Sequence, residues 1–235
     1  MLSREEKDEI EDNYYSIQEN IIEAAESSGR NPDEIKLVAI SKGQSLNKIN
    51  YVRELGVHAI GESRVQELRD KEEKQPEEID WHFVGHLQRN KVKYLARMDN
   101  CHLIHSLDSL RLAKEIEKRA AKNKRDMSVL IQINVARDEN KFGFMPEDLM
   151  PFLEKAEQFD NLSFEGLMTL VPHYDDSEKA RYDFKKLADL RRQAEEKGFE
   201  MPELSMGMTN DYKVAIEEGA TMIRLGRELF GERKY

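Results

Sequence analysis

The stretch Leu37-Val38-Ala39-Ile40-Ser41-Lys42 places four apolar residues and a serine before a lysine. The run does not alternate with polar residues, and this pattern is typical of a parallel β-strand that is covered on both faces. Ser45 follows as a suitable N-cap for a helix with Ile49 and Val52 on its inner face, and Gly56 is a suitable C′ residue. This part of the chain is therefore predicted to form a strand, a loop that carries a lysine, and a helix.

The same unit recurs along the chain. Seven further apolar runs are separated by segments of helical period, and they span residues 57–61, 81–85, 102–106, 129–135, 164–169, 203–206 and 221–225. The helix after the fourth of the eight runs is predicted to start at Ser106 or Asp108, and the helix after the sixth at Asp176 or Ser177. Eight strands that are each followed by a helix close a (β/α)₈ barrel. An open doubly wound sheet ordinarily carries a Gly-x-Gly-x-x-Gly loop, which this chain lacks.

An additional helix is predicted before the first strand, because Ile10, Tyr14, Ile17 and Ile21 recur at helical spacing. We therefore predict an α/β fold, a single (β/α)₈ TIM-type barrel with an extra N-terminal helix. This barrel is predicted to form one domain over residues 1–235.

Composition argues against several classes of protein. The 235 residues include 37 Lys and Arg against 47 Asp and Glu, so the net charge is −10, and a nucleic-acid-binding surface is not expected. No apolar run approaches the roughly 20 residues that span a bilayer, and the charged, acidic N-terminus does not resemble a signal peptide. The single cysteine, Cys101, excludes an internal disulfide. We expect a soluble, cytoplasmic protein without nucleic-acid or membrane partners.

Functional residues of such a barrel lie at the C-terminal ends of its strands, and Lys42 is the most informative of them. Its position after an apolar strand places the stem of the side chain at the wall of the barrel mouth. Partial burial there disfavours an ammonium group and leaves an amine that forms imines. The alternative is a surface lysine just beyond a strand end, and spacing alone does not exclude it.

The segments after the seventh and eighth strands are predicted to bind phosphate. Ser205-Met206-Gly207-Met208-Thr209-Asn210 combines hydroxyl groups, a glycine and the start of a short helix, and Gly226 follows the last strand. Ordinary turn and capping chemistry is the competing interpretation. Arg224 lies within the last strand, where its side chain would point into the barrel mouth or pair with a buried carboxylate.

Two histidine pairs, His82/His86 and His102/His105, have spacings that occur in metal sites. Neither pair is accompanied by a matching pattern of carboxylates. We therefore interpret them as core or rim histidines and predict no metal site.

Taken together, these motifs closely resemble the pyridoxal phosphate homeostasis proteins of the YggS/PROSC type, whose fold matches the barrel domain of alanine racemase. The resemblance covers essentially the whole chain. It rests on an ordered series of segments at residues 37–42, 61–67, 81–91, 134–135, 141–144, 166–169, 205–211 and 224–231.

The resemblance implies that Lys42 forms the internal aldimine with pyridoxal 5′-phosphate (PLP). It also implies that Ser205, Thr209 and the backbone around Gly226 hold the phosphate. Arg224 would lie near the pyridine nitrogen, where an arginine disfavours protonation of the ring and weakens it as an electron sink.

Three further positions are implied to contact the cofactor. Asn134 and Met168 would line the ring pocket, and Ser63 would bind at a position where the family usually has Asn. The shorter hydroxyl of serine can still donate a hydrogen bond. The lysine segment also differs, because Gly43 follows the lysine where the family commonly has Pro.

A two-base racemase needs an acid or base on each face of the substrate carbanion, and only Lys42 is evident here. Alanine racemase also carries a second β-domain, for which we expect this chain to have no room. We therefore predict a monomeric, non-enzymatic protein that holds PLP and delivers it to PLP-dependent apo-enzymes.

Two alternatives stay open at this point. One is a PLP-dependent amino-acid racemase or decarboxylase-type enzyme with an acid on a loop. The other is a barrel lyase or aldolase in which Lys42 forms an imine with a sugar phosphate. A pure interaction module is disfavoured, because many polar groups converge at one end of the barrel.

Overall fold

Eight parallel strands pair in chain order, and the last strand pairs with the first to close a barrel. The computed structural model describes residues 2–75 and 79–231. The strands are β1 (Lys36–Ile40), β2 (Ala59–Glu62), β3 (Asp80–Phe83), β4 (Cys101–Leu107), β5 (Met127–Gln132), β6 (Leu162–Met168), β7 (Glu203–Ser205) and β8 (Met222–Leu225). The (β/α)₈ barrel that the apolar runs predict is confirmed.

Helical segments follow every strand within the described residues. The helices are α1 (Arg4–Ser27), α2 (Leu46–Glu54), α3 (Val65–Lys74), α4 (Val92–Leu95), α5 (Leu110–Asn123), α6 (Leu149–Leu153), α7 (Arg181–Glu196), α8 (Tyr212–Glu217) and α9 (Arg227–Phe230). None of them combines the length and the apolar composition that crossing a bilayer requires.

N-cap residues decide where the helices start. Ser45 caps α2, as predicted. α5 begins later than predicted, because β4 continues past Ser106 and that residue is part of the strand. The side chain of Ser109, and not that of Asp108, accepts the hydrogen bond of the first turn, at 3.3 Å. Asp176 caps a short 3₁₀ turn, and α7 begins directly after that turn.

The predicted N-terminal helix is confirmed as α1, which packs beside α8 and α9 on the outside of the barrel. Ser3 and Glu6 form a capping box at its N-terminus. Ile10, Ile17 and Ile21 are buried, as their helical spacing indicates.

The inside of the barrel is mixed in character. Five apolar side chains form a buried cluster: Val38, Leu103, Leu130, Met168 and Met222. Beside this cluster lie four buried polar side chains: His82, His105, Ser205 and Arg224. Because branched apolar residues normally fill a barrel of this size, the polar side chains require an explanation.

Candidate functional site

Lys42 follows β1 at the C-terminal end of the barrel, in a turn of residues 41–43 that we call the lysine loop. Its side chain is half-buried, and within the described residues its ammonium group makes no hydrogen bond or ion pair. Gly43 adopts a φ of 74°, in the left-handed region that glycine tolerates best. The amine of Lys42 is therefore free to meet a ligand.

A buried group of charges holds the backbone of the lysine loop. The ammonium of Lys71, on α3, donates to the carbonyl of Ser41 at 2.7 Å. It also pairs with Glu67 at 3.0 Å and with the fully buried Glu62. The hydroxyl of Ser41 donates to Glu62 at 2.8 Å, and the N–H of Gly43 donates to Glu67 at 2.5 Å. We call Glu62, Glu67 and Lys71 the clamp, because they fix the peptides on both sides of the lysine.

The two carboxylates of the clamp differ in their electrostatics. Burial raises the pKa of Glu62, and the neighbouring Lys71 only partly opposes this effect. Partial burial would also raise the pKa of Glu67. Hydrogen bonds from Gly43 and Lys71 outweigh it and lower the pKa of Glu67 below its ordinary value. The clamp is thus an ion-pair network with one strongly desolvated member.

Arg224 extends from β8 into the barrel interior and is 4% exposed. Its Nη1 donates to Ser205 Oγ at 2.6 Å, and its Nη2 donates to the carbonyl of Thr169 at 2.8 Å. Burial lowers the pKa of the guanidinium to about 10, and the charge of Asp211 opposes this shift. Arg224 is therefore still a cation at neutral pH, and it points into the barrel instead of bonding to a carboxylate.

Ser205 connects Arg224 to two histidines. Its Oγ lies 2.8 Å from Nδ1 of His105, and Nε2 of His105 lies 2.9 Å from Nδ1 of His82. Burial lowers the pKa of His82 to about 3 and that of His105 well below its ordinary value, so both rings are neutral at pH 7. We call Arg224, Ser205, His105 and His82 the polar relay. The interpretation of His82 and His105 as core histidines is confirmed.

The loop between β7 and α8 has a tight backbone. Gly207 has a φ of 90°, and the carboxylate of Asp211 accepts the N–H of Met208 at 2.7 Å. Thr209 is exposed at the tip, and its N–H donates to no acceptor within the described residues. Because α8 has only six residues, this loop can bind an anion mainly through such N–H groups and hydroxyls.

The loop after β8 lies beside the first strand. A Cβ atom on Gly226 would come within 3.4 Å of the Cβ atom of Ile40, two residues before Lys42. Within the described residues the N–H of Gly226 has no acceptor. The structure therefore brings the predicted phosphate loop after β8 close to the predicted nucleophile.

Three other predicted residues have different surroundings. The side-chain amide of Asn134 donates to the carbonyl of Asp138 at 2.8 Å and so closes its own loop after β5. Met168 is fully buried in the apolar cluster of the barrel. Ser63 is half-buried after β2, and a Cβ atom on Gly85 would lie only 2.1 Å from its carbonyl oxygen. None of the described hydrogen bonds joins these three side chains to Lys42.

The sequence patterns did not predict two features of the barrel mouth. Lys71 of the clamp stands four residues after Glu67, an ion-pair spacing that was a usable signal. His86 and Asp108 form a 3.0 Å pair between the loops after β3 and β4, and the ring of Phe142 stacks on His86 at 3.6 Å between centroids. Nothing local in the sequence links these two loops.

Related sequences cover nearly the whole chain. Residues 13–234 match the family model described as alanine racemase, N-terminal domain. A pyridoxal phosphate homeostasis protein of Aquifex aeolicus (strain VF5) is 44% identical over 221 residues, which cover 93% of this chain and 96% of that protein. A protein of the same name from Deinococcus radiodurans is 40% identical over 211 residues, which cover 89% and 95%.

Solved structures extend the comparison. PipY of Synechococcus elongatus PCC7942, with PLP bound, has a TM-score of 0.78 at 29% identity and covers 90% of this chain and 100% of that one. An alanine racemase of Clostridium difficile 630 has a TM-score of 0.72 at 16% identity and covers 95% of this chain but 57% of that one, a likeness of fold alone. With a family model matched over most of its length and full-length relatives at this level of identity, the chain belongs to the pyridoxal phosphate homeostasis protein family, whose barrel is that of the alanine racemase N-terminal domain.

Proposed function

We propose that this protein binds PLP at the barrel mouth through a covalent link to Lys42 and holds it for delivery inside the cell. The observation that carries the proposal is the half-buried, unpartnered amine of Lys42 beside two loops with free N–H groups. The names of the relatives and the PLP bound to PipY support it. When bound, PLP supplies an aldehyde that condenses with a primary amine and releases water.

The residues of the mouth fit the parts of this cofactor. The amine of Lys42 would meet the aldehyde, and the N–H groups of Thr209 and Gly226 would meet the phosphate. The guanidinium of Arg224 is held in place by Ser205 and by the carbonyl of Thr169, and it would face the ring nitrogen and keep that nitrogen unprotonated. The hydroxyl of Ser205 is already bonded in the relay, so we assign it to positioning Arg224 in addition to its predicted phosphate contact.

Other parts of the proposal remain predictions. They are the contacts of Asn134, Met168 and Ser63 with the cofactor, the monomeric state, the cytoplasmic location and the transfer to PLP-dependent apo-enzymes. The relatives carry the name of homeostasis proteins and not of enzymes, which favours a carrier.

The test is an absorption spectrum of the purified protein with added PLP, before and after borohydride. We expect a band that borohydride bleaches, with the cofactor then fixed to the peptide that contains Lys42. Lys42→Ala should abolish this retention. Lys114→Ala, which removes an exposed lysine of α5, is the matched control and should leave it unchanged. A wild-type protein that retains no PLP would refute the proposal and favour the sugar-phosphate alternative.

The pair of His86 and Asp108 favours a second candidate, a PLP-dependent racemase or decarboxylase-type enzyme. The carboxylate orients the imidazole at the barrel mouth, as a general acid or base requires. Sustained turnover of an amino acid that is lost in both Lys42→Ala and His86→Gln would establish this candidate. Absence of turnover in the PLP-loaded protein would favour the proposed carrier function.

A further inference from the structure

A cavity of about 720 Å³ lies at the opposite end of the barrel from Lys42. It is lined by α1 and by the N-terminal ends of the strands, with Gln18 and Lys36 among its walls, and it is open to solvent on one side. None of the residues assigned above to the lysine or phosphate contacts lines it. The cavity is therefore separate from the proposed PLP site.

The walls of this cavity carry an excess of negative charge. Its described lining includes the carboxylates of Asp33, Asp80, Glu165 and Glu203 and a single lysine, Lys36. Lys36 is already ion-paired with Glu203. Three carboxylates therefore lack a cationic partner within the described lining, and the cavity favours a positively charged ligand.

A buried imidazole also faces this space. His82 is 3% exposed and lines the cavity. Its Nδ1 is bonded to His105, whereas its Nε2 has no partner within the described residues. Nε2 is accessible from the cavity, so a ligand that binds there can form a hydrogen bond with this otherwise buried ring. This atom is the second, independent feature that points to a ligand.

Hydrogen-bond directions along the polar relay are linked to one another. A guanidinium only donates, so Ser205 accepts from Arg224. If the hydroxyl of Ser205 donates to His105, then His82 presents an N–H to the cavity. If the two histidine bonds run the other way, His82 presents a lone pair, and the hydroxyl proton of Ser205 is released from His105. A hydrogen-bond donor in the cavity selects the second arrangement.

We infer that this cavity binds a small protonated diamine or polyamine. Its ammonium groups are held by the carboxylates, and one of them donates to Nε2 of His82. Within the described residues, no group of three or more His, Cys, Asp or Glu side chains has the arrangement that holds a metal ion. Carboxylates that are spread around a cavity suit an extended cation with separated charges better than a single ion. Binding therefore fixes the direction of the hydrogen bond between His105 and Ser205. The hydroxyl proton of Ser205 then does not bond to the histidine.

Calorimetric titration of the full chain with putrescine at low ionic strength tests this site directly. We expect one saturable site. Glu165→Gln keeps an acceptor for Ser128 but removes a wall charge, and it should weaken binding roughly fivefold. Glu157→Gln removes an exposed carboxylate elsewhere on the surface and is the matched control, which should bind as the wild type does.

Nitrogen NMR of the histidine rings reports which ring nitrogen carries the proton. Nonspecific attraction of a cation to the acidic surface would not change this signal. At saturation with putrescine, the proton of His82 and that of His105 should both lie on Nδ1, and the Nε2 atom of each ring should be unprotonated. Absence of saturable binding, equal weakening by Glu165→Gln and Glu157→Gln, or a proton on Nε2 of His82 at saturation would each overturn the inference. All three measurements are made without PLP, so their outcome is independent of the proposed function.

Discussion

At the scale of single residues, the position of Lys42 depends on a group of charged side chains that holds the backbone on both sides of it. The clamp binds the carbonyl on one side of the lysine and the N–H on the other. Glu62 is fully buried, and Lys71 is the cation that compensates it. A buried charge that loses its partner is far more costly than an exposed one. The clamp therefore links the geometry of the lysine loop to the stability of the fold.

We predict that Lys71→Met lowers the free energy of unfolding by about 3–5 kcal/mol, because Glu62 keeps its burial and loses its partner. Urea unfolding followed by circular dichroism measures the change. The double variant Lys71→Met/Glu62→Gln should recover part of the loss, since the amide carries no charge. A single variant as stable as the wild type would show that Glu62 is not held as a charge.

At the scale of elements, the loop between β7 and α8, which is predicted to bind phosphate, depends on one glycine. Gly207 has a φ of 90°, and its carbonyl accepts the backbone N–H of Arg224. A Cβ atom at this position would lie 2.7 Å from the Cβ atom of Ala215 and 2.9 Å from the Cα atom of Tyr212. The loop can therefore pack against α8 only when residue 207 has no side chain.

Gly207→Ala should destabilise the protein more than Gly198→Ala does. Both glycines have a φ of 90°, so each alanine meets a left-handed backbone that costs roughly 1–2 kcal/mol. Only at Gly207 would the new methyl group collide with α8, which adds roughly 1–3 kcal/mol, whereas nothing lies within 4 Å of a Cβ atom at Gly198. Thermal unfolding of the two variants measures the difference, and equal losses would contradict the close packing of this loop.

At the scale of the whole molecule, two neutral histidines inside the barrel make stability dependent on pH. The pKa of His82 falls to about 3 in the folded protein from an ordinary value of 6.5, and the pKa of His105 is also lowered, in both cases because of burial. Below pH 6.5 these two histidines bind protons in the unfolded chain but not in the folded chain. Acidification through the window from 6.5 towards 3 therefore favours unfolding.

Between pH 7 and pH 5 we expect His82 to lower the free energy of unfolding by about 2 kcal/mol, and we expect His105 to lower it further. Urea unfolding at a series of pH values gives the slope. His82→Asn should flatten it relative to the wild type, because an amide does not titrate in this range. His58→Asn removes an exposed histidine at the same end of the barrel and is the control. An unchanged slope in His82→Asn would contradict a neutral, buried ring.

The order of the apolar runs along the chain predicts much of this architecture. Runs that are apolar on both faces, separated by helical segments, determine parallel strands and crossover helices, and eight such units determine a closed barrel. The position of Lys42 at a strand end follows from the same pattern, as do the loop glycines after β7 and β8. Local signals fail at the boundaries, as for Ser106, because strand pairing with β5 and not a cap residue decides where β4 ends.

What only the tertiary structure decided is which distant side chains meet. His82, His105, Ser205 and Arg224 come from four different strands, and the barrel register alone brings them into one relay. The same holds for His86 with Asp108. Amino-acid sequence determines periodicity and caps because these depend on neighbours along the chain. Contacts inside a closed barrel depend on strand register and side-chain packing, which are settled only when all eight strands have paired.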